Sequence, residues 1–221
     1  MRRPGARLLR YESYRAMPWR NGRGSTLEIA REPATGEEFA WRLSLAGIEA
    51  DTDFSAYPGY SRTLVLVDGL SLRLRFRGHG RCFLDAKRRS TRFEGHWQTH
   101  CAVPKGPCMD LSLIVRRARG MRPATAVRAP TVLDLKTPRR VTIPEGLYGA
   151  VFVLDGSVAI AAAASERSRT VQARHTLLLS PGPKRILTLR SIGESAAQLV
   201  ILRWTVPEHV RYDVLIRHRK S

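Results

Sequence analysis

The chain has 221 residues, with 38 arginines and lysines against 19 aspartates and glutamates, a formal net charge of +19. Its apolar fraction of 43% is that of a globular protein with a core and excludes a disordered chain. No run approaches the roughly 18 apolar residues of a transmembrane helix, and the first residues lack the apolar segment of a signal peptide. Three cysteines without a CxxC pair predict reduced thiols and a cytoplasmic location, with no membrane partner.

The basic surplus raises nucleic acid as a partner. The basic residues are mostly scattered arginines, and dense clusters occur only at 86–92, 116–119 and 217–220. No helix-turn-helix, zinc-finger or RNP-like aromatic motif accompanies them. The sequence therefore predicts no specific nucleic-acid recognition and leaves nonspecific binding of polyanions open.

Short apolar or alternating runs, rich in Val, Leu and Ile, predict β-strands along most of the chain. In chain order they cover residues 39–48, 63–69, 70–76, 109–117, 150–156, 157–163, 176–182, 185–190 and 197–204. Convincing helix patterns are scarce. Many short strands separated by turns predict an all-β fold, a sandwich or a barrel.

A phrase occurs twice: PGYSRTLVLVDG at 58–69 and PEGLYGAVFVLDG at 144–156, each with a Gly nine residues before an Asp-Gly pair. Asp-Gly between apolar runs predicts a hairpin, so the repeat predicts a duplicated β unit. The alternative is chance, because apolar runs before Asp-Gly are common in β proteins.

The segment at 118–131, rich in Pro, Ala and Arg, is predicted to link the two copies. The predicted domains are an N-terminal lobe with a ligand pocket, a C-terminal lobe that is a candidate homodimer surface, and a basic tail. Their predicted bounds are 14–120, 130–206 and 207–221.

Polar residues within predicted strands concentrate in the N-terminal lobe. Side chains alternate between the two faces of a strand, so Arg42 and Ser44 share a face, as do Asp110 and Arg116. If these faces point inward, the four side chains line a cavity in which guanidinium groups suit a carboxylate or phosphate. The alternative is that they face solvent.

His96, His100 and Cys101 in HWQTHC are candidate metal ligands. On a strand, the two histidines would lie about 13 Å apart, too far to share a zinc ion bound at about 2 Å. A helix would bring them together, but the surrounding glycines and prolines disfavour one. We predict no metal and no cofactor, and because neighbouring strand residues point apart, no Cys101–His100 nucleophile.

Four ordered segments resemble the signature blocks of the HutD/Ves family: MPWRNGRGSTLEIA, WRLSLAGI, FSAYPGYSRTLVLVDG and THCAVPKGPCMDLSLIVRR. The resemblance covers roughly residues 14–118. It implies a bicupin, with two tandem β-barrel or jelly-roll lobes, in a bacterial cytosolic protein linked in many members to histidine utilisation. It further implies a governor that senses a pathway intermediate, for which N-formylglutamate is the usual suggestion. Members of the Ves type are associated with stress response and have no assigned ligand.

The resemblance marks positions in each block of this sequence. They are Pro18, Trp19, Asn21, Gly22, Gly24, Thr26, Trp41, Arg42, Ser44, Phe54, Ser55, Pro58, Gly59, Arg62, Cys101, Gly106, Pro107, Asp110, Arg116 and Arg117. The family pattern differs from this chain at Arg23, where it favours Gly, at Ser61, where Asp is typical, and at Ser112, where Asn is usual. These changes put the N-formylglutamate assignment in doubt for this chain but leave the fold assignment intact.

Two functions follow for the predicted site. As a non-enzymatic sensor, the chain would bind a small carboxylate through an ion pair, hydrogen bonds and contacts with apolar side chains. As a cupin-type isomerase or hydrolase, it would use an acid–base group, for which Asp110 and His100 are the candidates. The predicted ligand-binding residues are Trp19, Asn21, Trp41, Arg42, Ser44, Pro58, Arg62, His100, Asp110 and Arg116.

Overall fold

The computed structural model describes residues 5–19, 24–33, 38–118, 127–162 and 168–210, and these are strands almost throughout. The prediction of an all-β class is therefore confirmed. No helix in these ranges is long and apolar enough to cross a membrane.

The strands of the first half of the chain are β1 (Ala6–Leu9), β2 (Arg15–Pro18), β3 (Gly24–Glu32), β4 (Trp41–Ile48), β5 (Thr52–Phe54), β6 (Tyr60–Asp68), β7 (Leu72–Phe76), β8 (Gly80–Leu84), β9 (Ser90–Glu94), β10 (Thr99–Ala102) and β11 (Cys108–Arg116). Those of the second half are β12 (Thr131–Leu135), β13 (Arg139–Ile143), β14 (Tyr148–Asp155), β15 (Ser157–Ala162), β16 (Ser168–Gln172), β17 (Thr176–Leu179), β18 (Arg185–Ile192) and β19 (Ala197–Trp204). A short 3₁₀ turn at Tyr11–Ser13 separates β1 from β2.

The chain divides into two compact units. The N-terminal unit comprises Tyr14–Val127 with Val206–Ser221, and the C-terminal unit comprises Arg128–Thr205 with Met1–Ser13. Most of the predicted linker and of the predicted basic tail lies outside the described residues. The start of the chain thus belongs to the C-terminal unit, where β1 pairs antiparallel with β17.

Two antiparallel sheets build the N-terminal unit. One has six strands in the order β2-β3-β4-β11-β6-β9, and the other has four in the order β5-β10-β7-β8. A buried apolar cluster draws side chains from both sheets, among them Ile48, Leu64, Leu74 and Leu84. Among the described strands, no pairing joins the two sheets, so they remain open rather than forming a closed barrel.

The C-terminal unit repeats this plan with different interior side chains. Its sheets have the orders β1-β17-β14-β19-β12 and β13-β18-β15-β16. A buried apolar cluster contains side chains from both sheets, such as Val151, Leu177, Leu189 and Leu199. Alternate residues of these strands therefore point into the unit and pack against the opposite sheet.

The two Asp-Gly pairs do not form hairpins, and that prediction is wrong. β6 and β7 belong to different sheets, as do β14 and β15, so each Asp-Gly carries the chain from the larger sheet to the smaller one. Gly69 and Gly156 have φ of +89° and +75°, whereas the preceding aspartates are not among the residues with positive φ. The two-residue turn that favours Asp-Gly in hairpins needs positive φ at both positions.

The three cysteines of the chain are free and buried. Cys82, Cys101 and Cys108 all lie in the apolar cluster of the N-terminal unit. Burial raises the pKa of Cys108 to about 12 and raises that of Cys101 further, with the Asp110 carboxylate as the next cause for both. The thiolate, which is the nucleophilic form, is therefore strongly disfavoured at these sites.

Gly69 and Gly80 form a matched pair for testing the crossing turn. Both have positive φ, but a Cβ added at Gly69 would lie 2.6 Å from Cys108 Cβ, whereas one at Gly80 would meet nothing within 4 Å. We expect Gly80→Ala to cost about 1–2 kcal/mol from backbone strain alone. Gly69→Ala should cost about 1–3 kcal/mol more from overpacking. Urea unfolding of both variants measures the difference, and equal losses would show that the turn tolerates the contact.

Candidate functional site

The interior face of the six-stranded sheet is polar over part of its area. Registers between β4, β11 and β6 align three successive cross-strand rows: Arg42–Ile114–Arg62, Ser44–Ser112–Leu64 and Ala46–Asp110–Leu66. A β-bulge on β6, where Val67 is the extra residue between Leu66 and Asp68, shifts the register with β11 beside Asp110. Bulges are frequent beside functional sites because they re-aim a side chain.

These rows form one wall of a cavity of about 410 Å³ inside the N-terminal unit. The size is within the range of small-molecule sites. The lining residues are Trp19, Thr26, Arg42, Ser44, Ala46, Asp53, Phe54, Ser55, Tyr57, Arg62, Asp110, Ser112 and Ile114.

The cavity brings together five of the ten predicted site residues: Trp19, Arg42, Ser44, Arg62 and Asp110. The parity argument grouped Arg42 with Ser44 and Asp110 with Arg116, and predicted a cavity if both faces point inward. The structure places Arg42, Ser44 and Asp110 at one cavity, but not Arg116. Asn21 lies outside the described residues.

The other four predicted residues do not line the cavity. Trp41 alternates with Arg42 along β4, and its Nε1 donates to Glu32 Oε2 at 3.1 Å. Arg116 reaches Glu38 at 3.1 Å, and Pro58 is exposed in a turn. His100 lies on the outward face of β10, where its Nδ1 is 2.8 Å from Asp53 Oδ1.

Aromatic rings hold the two cavity guanidinium groups. Arg42 Cζ lies 5.0 Å from the ring centre of Phe39 and 5.2 Å from that of Tyr57. Arg62 Cζ lies 4.8 Å from the ring centre of Phe54, 5.1 Å from that of Phe93 and 5.7 Å from that of Tyr57. Such cation–π contacts become stronger as the cation is desolvated. Tyr57 therefore contacts both cations.

Hydrogen bonds satisfy these guanidinium groups only in part. Arg42 Nη2 donates to the Tyr57 hydroxyl at 2.8 Å, and Arg62 Nη1 donates to the Ser55 carbonyl at 3.2 Å. The Nε atoms of both arginines are buried and have no hydrogen-bond partner. Burial lowers the pKa of Arg62, and the Asp110 carboxylate opposes that shift. A buried cation with incomplete partners, as at Arg62, costs free energy that an anion in the cavity would offset.

Asp110 is the acidic group of the cavity interior. It is 1% exposed, and its Oδ1 has no hydrogen-bond partner. Burial raises the pKa of Asp110 to about 7, against the opposing effect of the Arg62 charge. Near neutral pH, this carboxyl group is therefore partly protonated and can donate a hydrogen bond.

The end of β2 and the start of β3 supply a further wall. Trp19 Nε1 donates to Thr26 Oγ1 at 2.8 Å, which fixes the indole ring. A Cβ added at Gly24 would lie 2.9 Å from that ring and closer still to the Gly47 carbonyl oxygen. Only glycine at position 24 lets β3 approach both the backbone of β4 and the Trp19 indole this closely.

The departures from the family pattern fall in different places. Ser112 lines the cavity, so the usual Asn is replaced there by a smaller hydroxyl group. Ser61 precedes Arg62 on β6, is 1% exposed and is not a lining residue. Arg23 lies outside the described residues.

Sequence reasoning missed Tyr57, which contacts both cations. Tyr57 lies in the loop between β5 and β6, where no strand parity indicates a direction. The only signal is its place in FSAYPGY, a segment that the resemblance marked at other positions. In the ranges the structure describes, no group of three or more His, Cys, Asp or Glu side chains is arranged to hold a metal ion.

The two open antiparallel sheets and the polar cavity of the N-terminal unit define a β-sandwich protein with a partly polar interior. The HutD family model matches residues 11–197. The chain belongs to the HutD family, and the resemblance seen in the sequence is confirmed.

Two curated relatives match part of the chain. An uncharacterised 21.2 kDa protein in the hutC 3′ region of Pseudomonas putida is 38% identical over 109 residues, 48% of this chain and 56% of that protein. Protein Ves of Citrobacter koseri is 34% identical over 116 residues, 50% of this chain and 60% of that protein. The chain thus spans little more than half the length of these relatives.

Two solved structures match nearly the whole chain. A conserved protein of unknown function from Pseudomonas aeruginosa PAO1 has a TM-score of 0.77 and 27% identity, covering 91% of this chain and all of that chain. HutD from Pseudomonas fluorescens SBW25 has a TM-score of 0.70 and 24% identity, covering 90% of this chain and 98% of that chain. The latter likeness supports the fold.

The raised pKa of Asp110 predicts a distinct pH dependence of stability. Below about pH 4 the carboxyl group is protonated in both states; above that, the unfolded chain loses the proton first. Stability should therefore fall as pH rises towards and through about 7. Asp110→Asn should remove a decrease on the order of 2 kcal/mol between pH 5 and pH 8.

Urea unfolding across this pH range measures the effect as a slope, which is independent of any constant cost of the substitution. Asp155→Asn, at an exposed position in the C-terminal unit, is the control and should keep the wild-type slope. If Asp110→Asn also keeps it, Asp110 is ionised in the folded protein throughout.

Proposed function

We propose that the chain is a HutD-like binding protein whose N-terminal unit takes up a small carboxylate metabolite and so modulates histidine utilisation. One observation carries this proposal: the guanidinium groups of Arg62, which is buried, and Arg42, which is half-buried, lie in one cross-strand row of a cavity, and the Nε atom of each is buried without a hydrogen-bond partner. Guanidinium groups recognise carboxylates through paired N–H donors.

The rest of the cavity fits such a ligand. Ser44 and Ser112 provide hydroxyl groups that donate or accept, and Trp19, Phe54 and Tyr57 provide apolar surface. In the interior, Arg42 and Arg62 face one partly protonated carboxyl group, that of Asp110. The other lining carboxylate, Asp53, is exposed and lies 2.8 Å from His100, so the buried part of the cavity is positive. N-formylglutamate, the ligand implied by the resemblance, has two carboxylates and so one for each arginine.

The relatives support the link to histidine utilisation by their names. One is encoded beside hutC in Pseudomonas putida, and a structure with nearly the same extent is HutD of Pseudomonas fluorescens. The two similar pairs of sheets support a bicupin that arose by duplication of one β unit. Three free, buried cysteines support a reducing compartment, the cytoplasm.

An enzymatic function has one observation in its favour. A carboxyl group that titrates near pH 7 inside a cavity is suited to general acid–base catalysis. Incubation of the protein with small acids separates the alternatives, because a binding protein returns its ligand unchanged. Turnover that Asp110→Asn abolishes would identify a cupin-type isomerase or hydrolase.

Arg42→Ala should abolish carboxylate binding. Thermal unfolding and titration calorimetry with formate, glutamate, N-formylglutamate, urocanate and citrate measure it. Wild type should gain about 2.7 kcal/mol at a ligand concentration of about 100 Kd, or several degrees in Tm. Arg73→Ala, at an exposed position on β7, is the matched control and should bind as wild type does. Full-strength binding by a folded Arg42→Ala protein would remove Arg42 from the site.

Binding should also weaken as pH rises through about 7. Ionisation of Asp110 then adds a negative charge beside Arg62 and removes a hydrogen-bond donor, and both changes disfavour an anion. We expect the Kd of the bound carboxylate to rise severalfold between pH 6 and pH 8 in wild type and to stay nearly constant in Asp110→Asn. A pH-independent Kd in wild type would place the bound anion away from Asp110.

A further inference from the structure

A second large concavity lies on the outward face of the four-stranded sheet of the N-terminal unit. Its volume is about 960 Å³, and arginines and backbone from β7, the β7–β8 turn and β8 line much of it. The registers of the four strands align Asp53, His100, Arg75 and Arg81 in one cross-strand row. It shares Asp53 and Phe54 with the internal cavity, but the arginines that line it are different ones, Arg75, Arg77 and Arg81.

Arginines recur along this face. Arg73 and Arg75 alternate with buried leucines on β7, Arg77 follows directly, and Arg81 is opposite Arg75 on β8. Alternate residues of a strand are about 7 Å apart. We term these four side chains the arginine face: Arg73, Arg75 and Arg77 recur at alternate positions along the chain, and Arg81 lies beside Arg75 on the neighbouring strand.

Little negative charge compensates the arginine face. Within the described part of the chain, Arg73, Arg75 and Arg81 form no ion pair, while Arg77 donates to Gln98 Oε1 at 3.1 Å. Asp53 is occupied by His100 at 2.8 Å. Residues 70–92 contain eight arginines and lysines and a single aspartate, which accounts for much of the net charge.

Aromatic groups accompany these cations. Phe83 is 41% exposed and is the direct cross-strand partner of Arg73. At the β7–β8 turn, His79 stacks on Trp97 with ring centres 4.3 Å apart and planes 7° from parallel. A basic groove interleaved with aromatic rings is the combination by which proteins hold single-stranded nucleic acid.

We propose that the arginine face binds single-stranded nucleic acid through its phosphates, without reading its sequence. The arginines contact successive phosphates along β7 and β8, and a base stacks on Phe83. This is consistent with the absence of a sequence-reading motif, because every base has a face that can stack. An anionic membrane surface is disfavoured, since such sites combine cations with a broad apolar face that enters the lipid.

Fluorescence anisotropy of a labelled oligothymidine of about 20 nucleotides tests the proposal over a salt series. With four phosphates contacted, log K should fall against log salt with a slope of about −3. A triple variant with Arg73→Glu, Arg75→Glu and Arg81→Glu should have a shallower slope, between about −1 and 0, because fewer phosphates are contacted. Its affinity at low salt should be at least tenfold lower. Phe83→Ala should weaken binding severalfold and leave the slope unchanged.

The matched control changes the same net charge elsewhere. Arg139→Glu, Arg140→Glu and Arg190→Glu lie at exposed positions on the small sheet of the C-terminal unit, and this triple variant should keep most of the affinity and the slope. Equal losses in the two triple variants would show general attraction to net charge and overturn the proposal. So would equal binding of a duplex, or binding of phosphatidylserine vesicles with no binding of the oligonucleotide. Thermal unfolding confirms that each variant is folded.

Discussion

The N-terminal unit is organised around two guanidinium groups at one cavity, that of Arg62, which is buried, and that of Arg42, which is half-buried. A cation removed from water needs partners, and here the partners are aromatic rings, one tyrosine hydroxyl, one carbonyl and a buried carboxyl group. These groups come from both sheets and from the β5–β6 loop. The positions of β5, β6 and β9 around the cavity therefore matter for the charge balance as well as for packing.

The C-terminal unit shows the same architecture without that constraint. Inward positions of its five-stranded sheet are occupied by residues such as Val153, Leu179 and Ile201, and the interior is a continuous apolar core. The two units thus differ in how much of their interior is apolar, although their sheets have similar strand orders.

Strand parity and the family resemblance predicted part of the site from the sequence, and the reasons for success and failure are physical. Arg42, Ser44 and Asp110 were placed together because β4 and β11 are regular over these residues and side chains alternate there. Trp41 could have been excluded by the same argument, since it precedes Arg42. Arg116 shares the parity of Asp110 but lies at the end of β11, where Glu38 is within reach. Strand parity predicts which face of the sheet a side chain is on, but not where along the strand that face borders the cavity.

Other features depend on contacts between segments that are distant in the sequence. The Asp-Gly pairs mark turns in both copies, but only the sheet topology shows that they cross between sheets. β1 has only four residues, too few to be recognised alone, and it is a strand because β17 offers it a free edge. The position of Tyr57 between two arginines follows from the loop conformation, which no period in the sequence encodes.

The burial of all three thiols in one core has a practical consequence. Cys82, Cys101 and Cys108 belong to the N-terminal unit, and the C-terminal unit contains no cysteine. An alkylating reagent reacts with thiolates that reach solvent, so modification of the native protein must wait for the N-terminal core to open. The rate of labelling therefore measures how fast the core of the N-terminal unit opens, and the measurement needs no introduced probe.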